Sequence, residues 1–405
     1  MATKPNWTEC TLGEAVNLKR GYDLPERDRV DGEYPIVSSS GITGSHNIAK
    51  VRGPGVVTGR YGTLGQVFYI SGDFWPLNTS LYVQDYKGNN PLFVSYLLQT
   101  LNFGQRSGAA AVPGVNRNAL HMLRIRKPDL STQRKIATIL STYHNLIENN
   151  LQRIKALEKM TQNLYGEWFV KFRFPGHQQV RFVDSPLGPI PNGWEVKSIS
   201  DVAVLHRGRS YKGTELTDNG GRPFVNLKCM EREGGFRSSG LKRYIGPFKD
   251  TQTVRAGEMV MAITDMTQER RIIARVGRVS RLDADFGVMS MDLVRVASRD
   301  NLSETYLYAM LRWSGFADEV KQHANGVNVL HLLPARIEEY RFIRPTTDIA
   351  TRFGGIVLPM LSLRDSFEQK NTTLCRTRDL LLPRLISGEV DVSELDIAVP
   401  EEVSA

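Results

Sequence analysis

The chain has 405 residues, 52 Lys and Arg against 43 Asp and Glu for a formal net charge of +9, 41% hydrophobic residues and three cysteines. That length holds two or three domains, each able to bury a core of its own. No apolar run reaches the roughly 20 residues of a membrane-spanning helix. Cys10, Cys229 and Cys375 lie too far apart for a metal pair, and the N-terminal stretch lacks a secretory apolar region, so the expectation is a soluble, cytoplasmic protein. The basic surplus points to an acidic partner, nucleic acid first.

In chain order, the first feature is one that returns. The opening NWTECTLGEAVNLKRG sets Trp7, Leu12, Leu18, Arg20 and Gly21 at the same spacing as Trp194, Ile199, Leu205, Arg207 and Gly208 in GWEVKSISDVAVLHRG. Pro35-Ile36-Val37 is matched by Pro223-Phe224-Val225, and Gly114-Val115-Asn116 by Gly326-Val327-Asn328. The separations grow slightly and little else agrees, as expected of one scaffold carried twice with different loops. The period is too long for a solenoid. Residues 6–130 read as an α+β domain, with strands at 55–58, 66–70 and 80–83 and a helix over 92–102.

From Thr132 the apolar residues fall alternately three and four apart through Ile136, Leu140, Tyr143, Ile147, Ile154, Leu157, Leu164 and Trp168. That is a coiled-coil seam, interrupted by Asn150, a polar residue of the kind that sets register. The helix is expected to end in FRFPG. A stiff, extended linker over 173–193 follows, carrying Pro186, Pro189 and Pro191. A second α+β unit spans 194–346, with strands at 258–263 and 291–296 and a helix over 304–313. A second seam then reads Ile356, Met360, Leu363, Phe367, Lys370, Leu374, Thr377 and Leu381, with Lys370 in the slot of Asn150. Two seams in one chain satisfy each other best. Antiparallel pairing would set one globular unit at each end of a rod, although the sequence leaves parallel pairing open. The expected divisions are globular 1–131, helix 132–172, linker 173–193, globular 194–346, helix 347–388 and tail 389–405.

Catalytic signatures are missing. The sequence has neither a GxxxxGK[ST] phosphate loop nor a strand-anchored GxGxxG. Asn90-Pro91-Leu92-Phe93 has the outline of the Asn-Pro-Pro-aromatic loop of amino-methyltransferases, but its third residue is Leu and no glycine-rich cofactor loop accompanies it. His323 and His331, the closest histidine pair, lack ligand neighbours, so no metal or cofactor is expected.

What remains are polar, glycine-rich and basic clusters, types whose hydroxyls, amides and guanidinium groups contact phosphates and base edges. In the first unit these hold Ser39, Ser40, His46 and Asn47, then Arg60, Tyr61 and Thr63, then Arg106 and Arg117. In the second they hold Arg207, Arg209, Tyr211 and Lys212, then Asn226 and Lys228, then Thr264, Gln268, Arg270 and Arg271, and finally Asn328. The run Arg270, Arg271, Arg275, Arg278 and Arg281 reads as a phosphate-facing edge.

The order of GRYGTLGQVFY with Asn78-Thr79, the GVN segment leading to Pro128 and a long helix, EWFVKFRFPG, FVDSPLGPIPNGWEV and the closing LLPRLISGEVDV resembles the specificity subunits of type I restriction-modification systems over essentially the whole chain. One departure is the start of each long helix, where Thr132-Gln133 and Ala350-Thr351-Arg352 stand in place of an acidic-Gln pair. The resemblance implies two target recognition domains reading the halves of a split, asymmetric sequence in double-stranded DNA. It also implies an antiparallel coiled coil and no catalysis by this chain. Two adenine methyltransferase subunits would carry S-adenosylmethionine, and restriction subunits would translocate and cleave. A specificity-like subunit of another restriction or anti-phage complex, or a self-standing coiled-coil scaffold, remain the alternatives.

Overall fold

The computed structural model describes residues 7–101, 114–299 and 301–399. It falls into two compact units, one built from residues up to Asn149 together with those from Asn371 onward, the other from Asn150–Lys370.

The strands of the first unit are β1 (Trp7–Thr11), β2 (Asn17–Arg20), β3 (Tyr34–Ser38), β4 (Gly41–His46), β5 (Gly55–Gly59), β6 (Val67–Ile70), β7 (Trp75–Pro76), β8 (Ser80–Asp85) and β9 (Arg124–Pro128). β1 pairs antiparallel with β9. Between β1 and β2 lies a one-turn helix, Leu12–Ala15, closed by a capping box in which the Glu14 N–H donates to the Thr11 hydroxyl and the Thr11 N–H to the Glu14 carboxylate. An antiparallel sheet has the order β2-β8-β5-β6, and a second sheet, β4-β3-β7, has β3 parallel to β7. The helix Pro91–Thr100 buries Phe93, Val94, Leu97 and Leu98 in one core with Val56, Leu81 and Val83. Its N-cap is Asn90, whose side chain accepts from the Phe93 N–H at 2.9 Å. Asn90-Pro91 is therefore a helix start.

The second unit repeats this plan. Glu195–Ser198 pairs with Arg341–Arg344 as β1 does with β9, and the one-turn helix Ile199–Val202 again starts at a hydroxyl, with the Ser198 N–H donating to Asp201. Ala203–Arg207, Leu293–Ser298, Met259–Ala262 and Val276–Arg278 form a sheet of the same order and sense as β2-β8-β5-β6. Arg222–Val225 runs parallel to Gly287–Met289 as β3 does to β7. The helix Glu304–Trp313, capped by Ser303, occupies the place of Pro91–Thr100. The repeated Arg-Gly at the end of each opening pattern now has a cause. A Cβ on Gly21 would fall well inside contact with the Leu77 and Pro76 carbonyls, and one on Gly208 would do the same with those of Ser290 and Met289. At each glycine the first strand of one sheet passes against the parallel strand of the other.

Two long helices, Leu130–Tyr165 and Thr347–Ile386, follow the two globular parts. In the first unit Ile136, Ala137 and Leu140 share a core with Leu385, Ile386 and Val392, and the Asn371 amide donates to the Ile147 carbonyl at 3.2 Å. In the second unit Arg153 lies over Phe367, Glu158 meets Arg364 at 3.0 Å, Thr161 meets Met360, and Trp168 packs on Phe353. Partner numbers fall as the first helix advances, so the helices run antiparallel.

The seam of the first helix lies where its periodicity places it, with Ile136, Leu140, Asn150, Ile154, Thr161 and Trp168 buried. The seam of the second does so at Phe367 but not at Ile356, Leu363 or Lys370. Ile356 and Leu363 are 43% and 46% exposed and Lys370 is exposed, while the buried row is Phe353, Val357, Leu361, Arg364, Phe367 and Asn371. The polar residue facing inward near the middle is Asn371. Arg364, a charge in sequence, takes the inward place next to Leu363, where ion pairs to Glu158 at 3.0 Å and Glu368 at 2.6 Å hold it.

The segment expected to be a stiff linker is packed instead. Phe174 and Ile190 are each 3% exposed, Phe182–Val183 and Ile190–Pro191 form a short hairpin, and Phe174 stacks on Trp194 at 5.0 Å within the second core. The segment is anchored at its ends by Phe174 and Ile190, while Phe182 and Leu187 between them stay exposed.

Candidate nucleic-acid interface

In the first unit, β5 runs out into loop 60–66, which two neighbours hold. The Arg60 and Tyr61 N–H groups both donate to the Thr79 carbonyl, at 2.9 and 3.2 Å, and the Arg60 carbonyl accepts from the Val115 N–H at 2.9 Å. Tyr61 also bridges to Gly114. Ser39 borders the same loop, since a Cβ on Gly59 or Gly62 would meet its side chain. Three sequence clusters thus meet in one place, with the Arg60 guanidinium 4.5 Å from the Tyr61 ring centroid and Tyr61 and Thr63 exposed. Arg117 follows Asn116, the N-cap of the short helix Arg117–His121, and is exposed, its guanidinium near the Asn118 side chain. Ser40 and Asn47 are exposed, Ser40 within reach of Ser38 at 3.0 Å. His46 is not a surface contact. It is buried edge-on against Trp75 and its ring nitrogen meets the Val30 backbone. Arg106 lies outside the described residues.

The second unit builds the corresponding surface at the corresponding place. Beyond Met259–Ala262, Thr264–Asp265 pairs with Leu330–His331. The Asp265 carboxylate then folds the next loop, accepting from the Thr267 N–H and hydroxyl and from the Ile272 N–H. The Gln268 amide donates to the Val327 carbonyl, and Arg270 reaches Gln322 at 3.1 Å. Loop 265–272 therefore stands beside the Gly326-Val327-Asn328 turn, as loop 60–66 stands beside Gly114-Val115. Gln268, Arg271 and Asn328 are exposed, with Arg271 ion-paired to Glu269. Arg270 takes a positive φ of 53°, which places it at a bend.

Other expected contacts are drawn inward. Thr264 is buried beside His331, and Asn226 is buried with its amide donating to the Phe224 and Gly240 carbonyls. The basic edge also breaks up, because Arg275 pairs with Asp318 at 2.8 Å and Arg278 with Asp365. Arg209 donates to the Tyr244 hydroxyl at 2.7 Å and Tyr211 packs on Phe224 at 4.7 Å, where burial pushes its phenol pKa up. Arg207, Lys212 and Lys228 remain exposed. Sequence reasoning missed Gln322, and it named Thr79, Asp265, Met266 and Val327 within their motifs without singling them out, although Thr79 and Asp265 position the loops and Met266 and Val327 stand 68% and 89% exposed beside Gln268. The Asp-x-Thr spacing of Asp265 and Thr267 was the one local signal. Among the described residues no group of His, Cys, Asp or Glu is placed to hold a metal ion.

Comparison with known proteins gives a consistent result. Residues 4–159 match the family described as the type I restriction modification DNA specificity domain. The chain is 26% identical to the MjaIX type I restriction enzyme specificity subunit of Methanocaldococcus jannaschii, over 75% of this chain and 70% of that one. It is 22% identical to the HindI specificity subunit of Haemophilus influenzae, over 70% and 72%. The crystal structure of a type I restriction-modification S subunit from M. genitalium has the same fold, with a TM-score of 0.65 and 14% identity over 94% of this chain and 96% of that one.

Proposed function

We propose, from the premise that this chain is a member of the type I restriction-modification specificity family, that it recognises a bipartite, asymmetric target in double-stranded DNA. Each unit reads one half. The observation that carries this reading is the duplication itself: one architecture is built twice, and the two loop sets at the same place share the Asn116 and Asn328 of their GVN turns but otherwise differ, Arg60-Tyr61-Gly62-Thr63 standing against Met266-Thr267-Gln268-Glu269. Identical units would read a symmetric site; these would not. Exposed Tyr61 and Thr63 with half-buried Ser39 and Arg60 in one unit, and exposed Gln268, Arg271 and Asn328 with half-buried Arg270 in the other, supply the donors and acceptors for base edges. Exposed Arg117, Arg207, Lys212 and Lys228 supply phosphate contacts.

The chain positions chemistry done by others. Two adenine methyltransferase subunits modify the target, and restriction subunits cleave unmodified DNA. Mapping methylated adenines in a host with and without the gene tests the proposal. The expected result is loss of one split motif with unlike halves. Loss of no motif, or of a continuous palindrome, would reject it. The purified chain alone should bind DNA weakly with a steep fall in affinity as salt rises, and should transfer no methyl group.

A further inference from the structure

The two turns that carry the repeated Gly-Val-Asn place the valine differently. In the first unit Val115 is 8% exposed within the core, and its N–H donates to the Arg60 carbonyl at 2.9 Å. In the second unit the corresponding bond, to the Ile263 carbonyl at 2.8 Å, comes from the buried Leu332. The bridge from Tyr61 to Gly114 likewise corresponds to the pairing of Thr264 with His331. Leu332 therefore fills in one core the place that Val115 fills in the other, and Val327 is left 89% exposed.

Local geometry holds Val327 at an apex. Asn325 and His331 exchange backbone hydrogen bonds of 3.0 and 2.8 Å, closing loop 326–330 at its base. Gly326 takes a φ of +149°, and a Cβ there would collide with the Val329 carbonyl, so only glycine lets the chain double back. The Gln268 amide donates to the Val327 carbonyl and ties the apex to loop 265–272. On that loop Met266, the first residue beyond the Thr264–Asp265 strand, is also exposed. Apart from Gly326, the other exposed residues of 265–272 and 325–328 are polar or charged, among them Gln268, Arg271, Asn325 and Asn328. An apolar tip this small, set among amides and a guanidinium, falls short of a protein-docking face. It matches an isolated methyl group on a polar floor. In the major groove of duplex DNA that group is the thymine C5-methyl, and Asn, Gln and Arg are the residue types that pair with adenine and guanine beside it.

We propose that Val327, with Met266 on the neighbouring loop, reads a thymine in the half-site of the second unit by packing against its C5-methyl group. The inference rests on the proposed function. Val115 is buried and makes no such contact, so the methyl-reading valine serves one half of the target only.

The test uses the full chain assembled with the methyltransferase subunits of its own system, and duplexes carrying the mapped split motif. The half read by the second unit is the one that survives exchange of residues 6–130. Each thymine of that half is replaced in turn by deoxyuridine, which lacks only the methyl group, and affinity is measured at constant salt. In the parent complex one replacement should weaken binding about fourfold, the worth of one buried methyl group. Val327→Ser, a change at an exposed position that should unfold at the parental temperature, should bind the thymine duplex about fourfold more weakly and should be indifferent to that replacement. A parent indifferent to every replacement would overturn the methyl contact and leave the reading of a split motif standing. A deoxyuridine response retained in full by Val327→Ser would also overturn it, since another residue would then hold the methyl group. Weaker binding of Val327→Ser to the methyltransferase subunits, with its deoxyuridine response unaltered, would overturn it in favour of a protein occupant. Failure of the parent complex to distinguish its motif from unrelated DNA would overturn both readings.

Discussion

Gly21 and Gly208 stand where two sheets touch backbone to backbone, so the first methyl group added there has no space. Gly21→Ala and Gly208→Ala should each lower stability by about 1–3 kcal/mol through overpacking, seen as a lower urea midpoint; an unchanged midpoint would show that the strands can part. The Arg-Gly pair was legible in sequence as a repeated signature, but its role in close approach became clear only from the carbonyls of Leu77 and Ser290, far along the chain. The same limit governed the site. His46, Thr264 and Asn226 have the composition of reading residues and sit in polar, glycine-rich loops, yet Trp75, His331 and the Gly240 carbonyl draw them inward. The side chains of Tyr61 and Arg271 have no such long-range captor and stay exposed, whereas Gln268, though exposed, is held at its amide by the Val327 carbonyl.

At the scale of elements, the two long helices differ in how well pattern predicted packing. The first buries residues where its spacing places them, Ile136, Leu140 and Ile154 together with the polar Asn150 and Thr161. The second hides Arg364 at 3% side-chain exposure, and apolar periodicity cannot anticipate a buried charge. Its guanidinium sits among Glu158, Asp365 and Glu368. Arg364→Ala should therefore cost about 3–5 kcal/mol, as removing one partner of a buried ion pair leaves the other charge stranded; a loss under 1 kcal/mol in equilibrium unfolding would mean that water reaches the cluster. Glu368 gives the helix a pH response. Burial pushes its carboxyl pKa up to about 7 although Arg364 acts in the opposite direction. A folded-state value above the ordinary 4.5 means the folded chain binds the proton more tightly, so this contribution is complete below pH 4.5 and is lost as pH rises from there through about 7. Glu368→Gln should flatten that decline and exceed the parent in stability at pH 8. Parallel urea midpoints for the two proteins from pH 5 to 8 would count against it.

For the whole molecule, the duplication was legible from a handful of spaced residues, because Trp, Gly and Pro at fixed positions survive where loops do not. Replacing residues 6–130 with the equivalent part of a relative should change one half of the methylated motif and leave the other half unaltered; a simultaneous change in both halves, read by methylome sequencing, would contradict independent reading. The sequence did not reveal where the units divide. Contiguous domains joined by a proline-rich linker were the expectation, whereas the break falls inside both long helices, at Asn149 and at Lys370. That break has a consequence for biosynthesis. The first unit lacks Leu385, Ile386 and Val392 until synthesis has passed those residues, while the second, contiguous from Asn150 to Lys370, has all of its residues earlier. The unit begun first is the one completed last. Closing so long a loop adds only about 0.6 kcal/mol per doubling of its length, so the delay is one of timing, and a nascent chain stalled before residue 380 should present a protease-resistant second unit beside a first unit still open to cleavage.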